Sequence, residues 1–413
     1  MSVSIAGAAQ VLRMPADGLP YLRHDRAGEL TAEPGGLTIH GGGRIAALEA
    51  DDGADVRIDA TGCAVIPGFV DCHTHLPFAG WRAQEYEMKV TGVPYEEIAR
   101  AGGGIRASAR ALAEASDAAV LAQAEALAGE MLAHGTTAFE CKSGYGLSPD
   151  AELRALALAA RLGDAVPQLT RSTALLAHAV PDGYDAASWM EEVARLAPVV
   201  ADDTAATALD IYVESIAFSN ADLARMGELA AAQGLDLRAH VEQFNANRSV
   251  PVALAAGARS VDHLARLHPD DVEPLSDAEC AAVLLPGAEV MGDEAVAPAR
   301  ALADAGAICV LATDANPGTS PIVSLPLIVG LAVRRYGWSV REALLAATLN
   351  AAWVLRMSED TGSLEAGKRG DVLVLDSSVE HVPYRLGHNP VAVVLVGGEP
   401  VWVRPDQAWR VAR

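Results

Sequence analysis

CAVIPGFVDCHTH, residues 63–75, is an apolar run that closes on two histidines. Its length and β-branched content read as a buried strand. Side chains alternate along a strand, so His73 and His75, at i and i+2, leave it on the same face. Seven further runs of like character follow along the chain: TTAFECKS (136–143), LTRSTALLAHAV (169–180), ALDIYVES (208–215), LDLRAHVEQ (235–243), RSVDHL (259–264), AAVLLPG (281–287) and AICVLATDANPG (307–318). Stretches rich in Ala, Leu and Glu separate them and read as helices. Strands that alternate with helices predict a parallel sheet. Eight such units predict an α/β fold of the (β/α)8 TIM-barrel kind. The stretch 76–105 behind the first strand is long enough to be a functional, lid-like loop. Its Gly102-Gly103-Gly104 reads as a hinge, because no Lys-Ser/Thr follows as in a phosphate loop.

The two ends of the chain differ from the middle. LTIHGGGRIAALEA (37–50) and AVVLVGGEPVWV (392–403) each read strand, glycine turn, strand, a hairpin signature. Domain termini tend to lie together. Residues 1–64 and 364–413 are therefore expected to form one composite β-sandwich domain, and residues 65–363 a metal-dependent barrel.

Composition narrows the function classes. Apolar residues make up 51% of the 413, which supports a large core. The 31 basic against 54 acidic residues leave a net charge of −23, which opposes nucleic-acid and anionic-membrane partners. A small anionic substrate stays open, because one well-placed Arg overrides the global field locally. The five cysteines are scattered, odd in number and without a CxxC pair, so a reducing compartment is favoured. No signal peptide or transmembrane run is read, and a cytoplasmic protein is expected. The assembly state stays open, with a homodimer as the candidate.

The strongly polar residues fall at the C-terminal ends of the proposed strands, the catalytic face of a barrel. His73 and His75 end the first, His240 the fifth, His263 the sixth and Asp314 the eighth. A buried Asp after an apolar run is costly unless paired or bound to a cation. Imidazoles with one carboxylate suit a zinc-like ion. The fourth strand ends in Val213-Glu214-Ser215, and none of the three lysines (Lys89, Lys142, Lys368) lies on it. A second metal bridged by a carboxylated lysine is therefore not expected there. Arg82, seven residues past His75, can give two parallel hydrogen bonds to a carboxylate. Tyr145 sits between two glycines, His178 closes the third strand, and Gln243 offers an amide that donates and accepts.

HTH after VIPGFVD, then GGGI, KSGYGL, AHAVP, HVEQFN, DHL and TDANPGTSP, together resemble the imidazolonepropionase family of the amidohydrolase superfamily. The resemblance covers essentially the whole chain. HTH and TD are shared by many amidohydrolases, whereas KSGYGL, AHAVP and NPGTSP are more particular. The resemblance implies that His73, His75, His240 and Asp314 hold one divalent metal ion, Zn or Fe. It implies that Arg82, Tyr145, His178 and Gln243 bind imidazolone-propionate, and that Asn316, Gly318 and Thr319 contact the product, N-formimidoyl-glutamate. The expected reaction is hydrolytic opening of 4-imidazolone-5-propanoate in histidine degradation. Asp314 would act as ligand and base, and His263 would orient the water or stabilise the oxyanion. The alternatives are a sibling that opens another imidazolone or hydantoin-like acid, an aminohydrolase that releases ammonia, and a non-catalytic barrel scaffold.

Overall fold

The computed structural model describes residues 1–15, 17–292 and 295–412. Its central sheet has eight strands: β1 (Phe69–Asp71), β2 (Thr136–Lys142), β3 (Leu169–Ala177), β4 (Ala206–Val213), β5 (Asp236–Val241), β6 (Ala258–His263), β7 (Ala281–Leu284) and β8 (Ile308–Leu311). They pair in sequence order, each parallel to the next. All eight fall within or overlap the runs read from the sequence. The seam between β1 and β8 is joined just beyond the strand ends. Thr74 and Ala315 form a parallel bridge, Asp314 N–H donates to the His73 carbonyl at 3.0 Å, and His75 N–H donates to the Ala315 carbonyl at 2.9 Å. One layer lower, the Asp71 carboxylate accepts from Thr313 N–H at 3.1 Å and from its hydroxyl at 2.6 Å. The barrel thus closes at the strand ends that carry the first and last candidate ligands.

Alternation sorts each strand. Leu209, Ile211 and Val213 of β4 join the large apolar cluster shared with the helices. Asp210 and Tyr212, between them, turn to the barrel interior. Val70, Ala138, Val283 and Val310 belong to a separate apolar cluster. The period of two carries Glu140 and Lys142 to the same side of β2 as Ala138, one and two steps nearer the catalytic end.

The run 63–75 is not one strand. Ala64–Pro67 pairs with Val3–Arg13 and Val372–Leu375 of the end sheet, and only Phe69–Asp71 enters the barrel. The break is Gly68, where a Cβ would lie 2.0 Å from Thr137 Oγ1; the chain crosses there only without a side chain. The stretch 76–105 also differs from a plain loop, because it contains the helices Ala83–Val90 and Tyr95–Arg100, and Gly104 caps the helix Ile105–Glu114. Strands from both chain ends form one nine-stranded sheet with its own apolar cluster, including Ile5, Ile39, Ile58, Val374 and Leu395.

Candidate active site

At the mouth of the barrel, His73, His75, His240, His263 and Asp314 are all buried. Asp314 Oδ1 lies 3.5 Å from His73 Nε2 and 3.3 Å from His75 Nε2. The rings of His240 and His263 stand 4.5 and 5.7 Å from that of His73, centroid to centroid. Two of the five residues have left-handed backbones, His263 at φ 80° and Asp314 at φ 55°, and such strain gathers at functional sites. At β6 it has a clear effect. Asp262 and His263 are neighbours, which a straight strand would point to opposite sides. The left-handed residue lets Asp262 reach His73 while His263 lines the cavity.

The donor set fits a metal ion. His73 Nδ1 is 2.6 Å from Asp262 Oδ2, and His240 Nδ1 is 3.0 Å from Asp210 Oδ1. Burial pushes both carboxyls up, but Arg238 beside Asp262, and His240 and Lys142 beside Asp210, outweigh it and hold both ionised. The two Nδ1 atoms therefore carry the protons and donate them. Both Nε2 atoms are buried without a hydrogen-bond partner, and each ring, when neutral, offers its Nε2 lone pair to a cation. Carboxylate-oriented histidines of this kind are the usual setting of a metal ligand. Two triads, His73–His75–Asp314 and His73–His240–His263, are each compact enough to hold one ion. Burial pushes His263 down to about 3, so it meets the cavity as a neutral imidazole.

Beneath the ligands lies a floor of five buried charges. Lys142 Nζ is 2.7 Å from Asp210 and 3.0 Å from Glu140. Arg238 bonds Asp262 at 3.0 Å, the Cys72 carbonyl at 2.8 Å and Ser260 Oγ at 2.9 Å, and it also contacts Glu140. Three carboxylates against two cations leave one negative charge, and Asp314 adds a second above it. That balance matches a divalent cation held by neutral imidazoles.

Above the candidate ligands a small polar-lined cavity opens. Arg82, Tyr145, His178 and Gln243 line one part of it, and Asn316 and Thr319 another. Arg82 is 8% exposed. Its Nε and Nη1 make no hydrogen bond, and Glu85 stands 3.9 Å from Nε. A buried guanidinium so placed is ready for an anionic group. Gly318 makes room for it, since a Cβ there would fall 1.7 Å from Arg82 Nη2. Asn316 Oδ1 accepts from the Gly318 and Thr319 N–H groups, both at 2.8 Å, and so shapes that loop. His178 Nδ1 is 3.0 Å from the Gly144 carbonyl, which makes Nδ1 the donor and leaves Nε2 for the cavity.

All the residues singled out in the sequence converge here. Gly318 shapes the site through its lack of a side chain, and His73 lies just under the cavity. Tyr212, Phe244 and Ile105 also line it and were not foreseen. Nor was the charged floor, although isolated charges inside apolar strands, as in AFECK and LDIYV, were a signal, because buried charges need partners.

A profile of the amidohydrolase family matches residues 64–401, and the chain belongs to that family. Within it, the chain belongs with the imidazolonepropionases. It is 44% identical to the imidazolonepropionase of Rubrobacter xylanophilus over 344 residues, which is 83% of this chain and 82% of that one. It is 38% identical to the imidazolonepropionase of Herpetosiphon aurantiacus over 405 residues, covering 92% and 93% of the two chains. The fold alone is shared with a zinc-bound adenosine deaminase from Xanthomonas campestris, at a TM-score of 0.67 and 18% identity over 97% of this chain and 93% of that one.

Proposed function

We propose that this hydrolase opens the ring of 4-imidazolone-5-propanoate to N-formimidoyl-L-glutamate, a step of histidine degradation. The observation that carries the reading is the juxtaposition of two chemistries in one buried cavity. Orphaned imidazole nitrogens and a carboxylate fit a metal on one side, and a buried guanidinium whose Nε and Nη1 make no hydrogen bond fits a carboxylate on the other. His73, His75, His240 and Asp314 would hold one ion, Zn or Fe. Such an ion would supply Lewis acidity, lowering the pKa of a water toward ~7.

The chain's own groups do the rest. Arg82 grips the propionate and fixes the ring's position. Tyr145, His178 and Gln243 hold the ring edge. Asp314 accepts a proton from the water that attacks the ring carbonyl carbon. Neutral His263 orients that water and donates toward the developing oxyanion. The bond from the carbonyl carbon to the ring nitrogen breaks, and Asp314 returns its proton to that nitrogen. Asn316, Gly318 and Thr319 contact the open-chain product. The chain ends 1–64 and 364–413 are taken as one composite domain flanking the barrel 65–363. Among the described residues no helix is long and apolar enough to cross a membrane. The five buried free cysteines suit a reducing cytoplasm, and a homodimer is the assembly to test.

The propionate reading is tested with a substrate analogue whose carboxylate is replaced by an amide. The wild-type enzyme should turn it over poorly, and equal turnover of amide and acid would show that Arg82 does not read the carboxylate.

A further inference from the structure

The turn after β2 carries Tyr145 on a backbone with no strand partner. Gly144 has φ 109° and Leu147 φ 51°. Its N–H groups converge instead on one side chain. Glu152, on the helix Pro149–Ala165, is 1% exposed. Its Oε2 accepts from Gly144 N–H at 2.8 Å, and its Oε1 accepts from Gly146 N–H at 2.8 Å and Leu147 N–H at 2.9 Å. The turn is pressed onto the start of that helix, since a Cβ on Gly146 would lie 2.4 Å from the Glu152 nitrogen. Two cavity side chains depend on this turn. Tyr145 belongs to it, and His178 is tied to it by the Gly144 carbonyl at 3.0 Å. Their rings stand 5.3 Å apart, centroid to centroid, and both line the cavity. Glu152 does not line the cavity, and no step of the reaction uses it.

We infer that Glu152 is a positioning residue for substrate recognition: its carboxylate fixes the turn 144–147 and thereby sets Tyr145 and His178 against the imidazolone ring. The inference rests on the reading of those two residues as substrate contacts. Only a carboxylate meets the need. Three N–H donors share two acceptor oxygens, whereas a glutamine offers one oxygen and an NH2 that cannot accept. In Glu152→Gln at least one buried N–H loses its partner, and the turn must shift.

Steady-state kinetics and metal analysis of Glu152→Gln, Tyr145→Phe and the double variant test this. Glu152→Gln should raise KM roughly tenfold to a hundredfold, with a smaller change in kcat and a full complement of metal. Tyr145→Phe should also raise KM, and the double variant should be no worse than the worse single one, because both act on the same contact. A merely structural carboxylate would lower the melting temperature and leave the KM of the folded enzyme unchanged. That result, or full additivity of the two substitutions, would overturn the inference. Wild-type KM in Tyr145→Phe would instead remove the substrate reading on which it stands. Gly146→Ala pushes the turn off the helix without removing the carboxylate and should give the same KM-dominated loss. Should Glu152→Gln not fold, Gly146→Ala decides alone, and a wild-type KM there would count against Glu152.

Discussion

Beneath the ligand histidines, five charged side chains on four strands meet inside a closed barrel, and each is fixed by at least two others or by backbone. Above the same histidines, the substrate side stands on loops: Arg82 after β1, Tyr145 after β2, Gln243 after β5 and Asn316 after β8. The floor is made of ion pairs whose rupture leaves a buried charge without a partner, at a cost of about 3–5 kcal/mol. The loop side is held by backbone hydrogen bonds to Glu152, Asn316 and Glu214, each worth about 1–3 kcal/mol. On the proposed reading, the floor sets whether a metal is held. The loops set what is bound above it, and they can change without unfolding the barrel.

Four substitutions probe that division, from the largest expected effect to the smallest. On the proposed roles of Asp314 as ligand and base, activity of Asp314→Asn should fall to background and elemental analysis should show metal below one equivalent. Lys142→Met removes the cation between Asp210 and Glu140, leaving Glu140 to Arg238 and Asp210 to His240 alone. Stability should fall by about 3–5 kcal/mol in urea unfolding, and chelator competition should show metal affinity weaker by roughly ten- to a hundredfold. A floor variant that changed KM alone would break the comparison. His263→Ala should slow kcat about a hundredfold while metal content stays full. If metal is lost with the rate, His263 is a ligand and belongs with the floor. Arg82→Lys keeps the charge and loses the planar two-bond grip; KM should rise about tenfold, some 1.4 kcal/mol, with metal unaffected.

The barrel and the clustering of the candidate ligands were legible in the sequence for a local reason. The strands that carry the candidate ligands are apolar runs that end in a polar residue, so candidate and strand end are read together. The floor was not legible, because its partners come from different strands. Arg238 meets Asp262 and Glu140, which are 24 and 98 positions away, and no spacing predicts such pairs. Gly68 was read through because the run continues apolar on both sides; what breaks it is the contact with Thr137. Tyr212 carries no signal in the sequence, because it lies inside an apolar strand whose polar end is Glu214. Glu214 turns instead to the neighbouring loop, accepting from Phe244 N–H at 2.8 Å and Asn245 Nδ2 at 2.6 Å.

The central claim is that the site attacks the ring carbonyl of an imidazolone acid. The direct test is to run the metal-loaded enzyme on 4-imidazolone-5-propanoate in ¹⁸O-labelled water and identify the product by mass spectrometry. Attack at the carbonyl carbon predicts N-formimidoyl-L-glutamate with one labelled oxygen in the newly formed carboxylate. Ammonia release, or a formyl amide labelled on the formyl oxygen, would place the attack elsewhere and contradict the account.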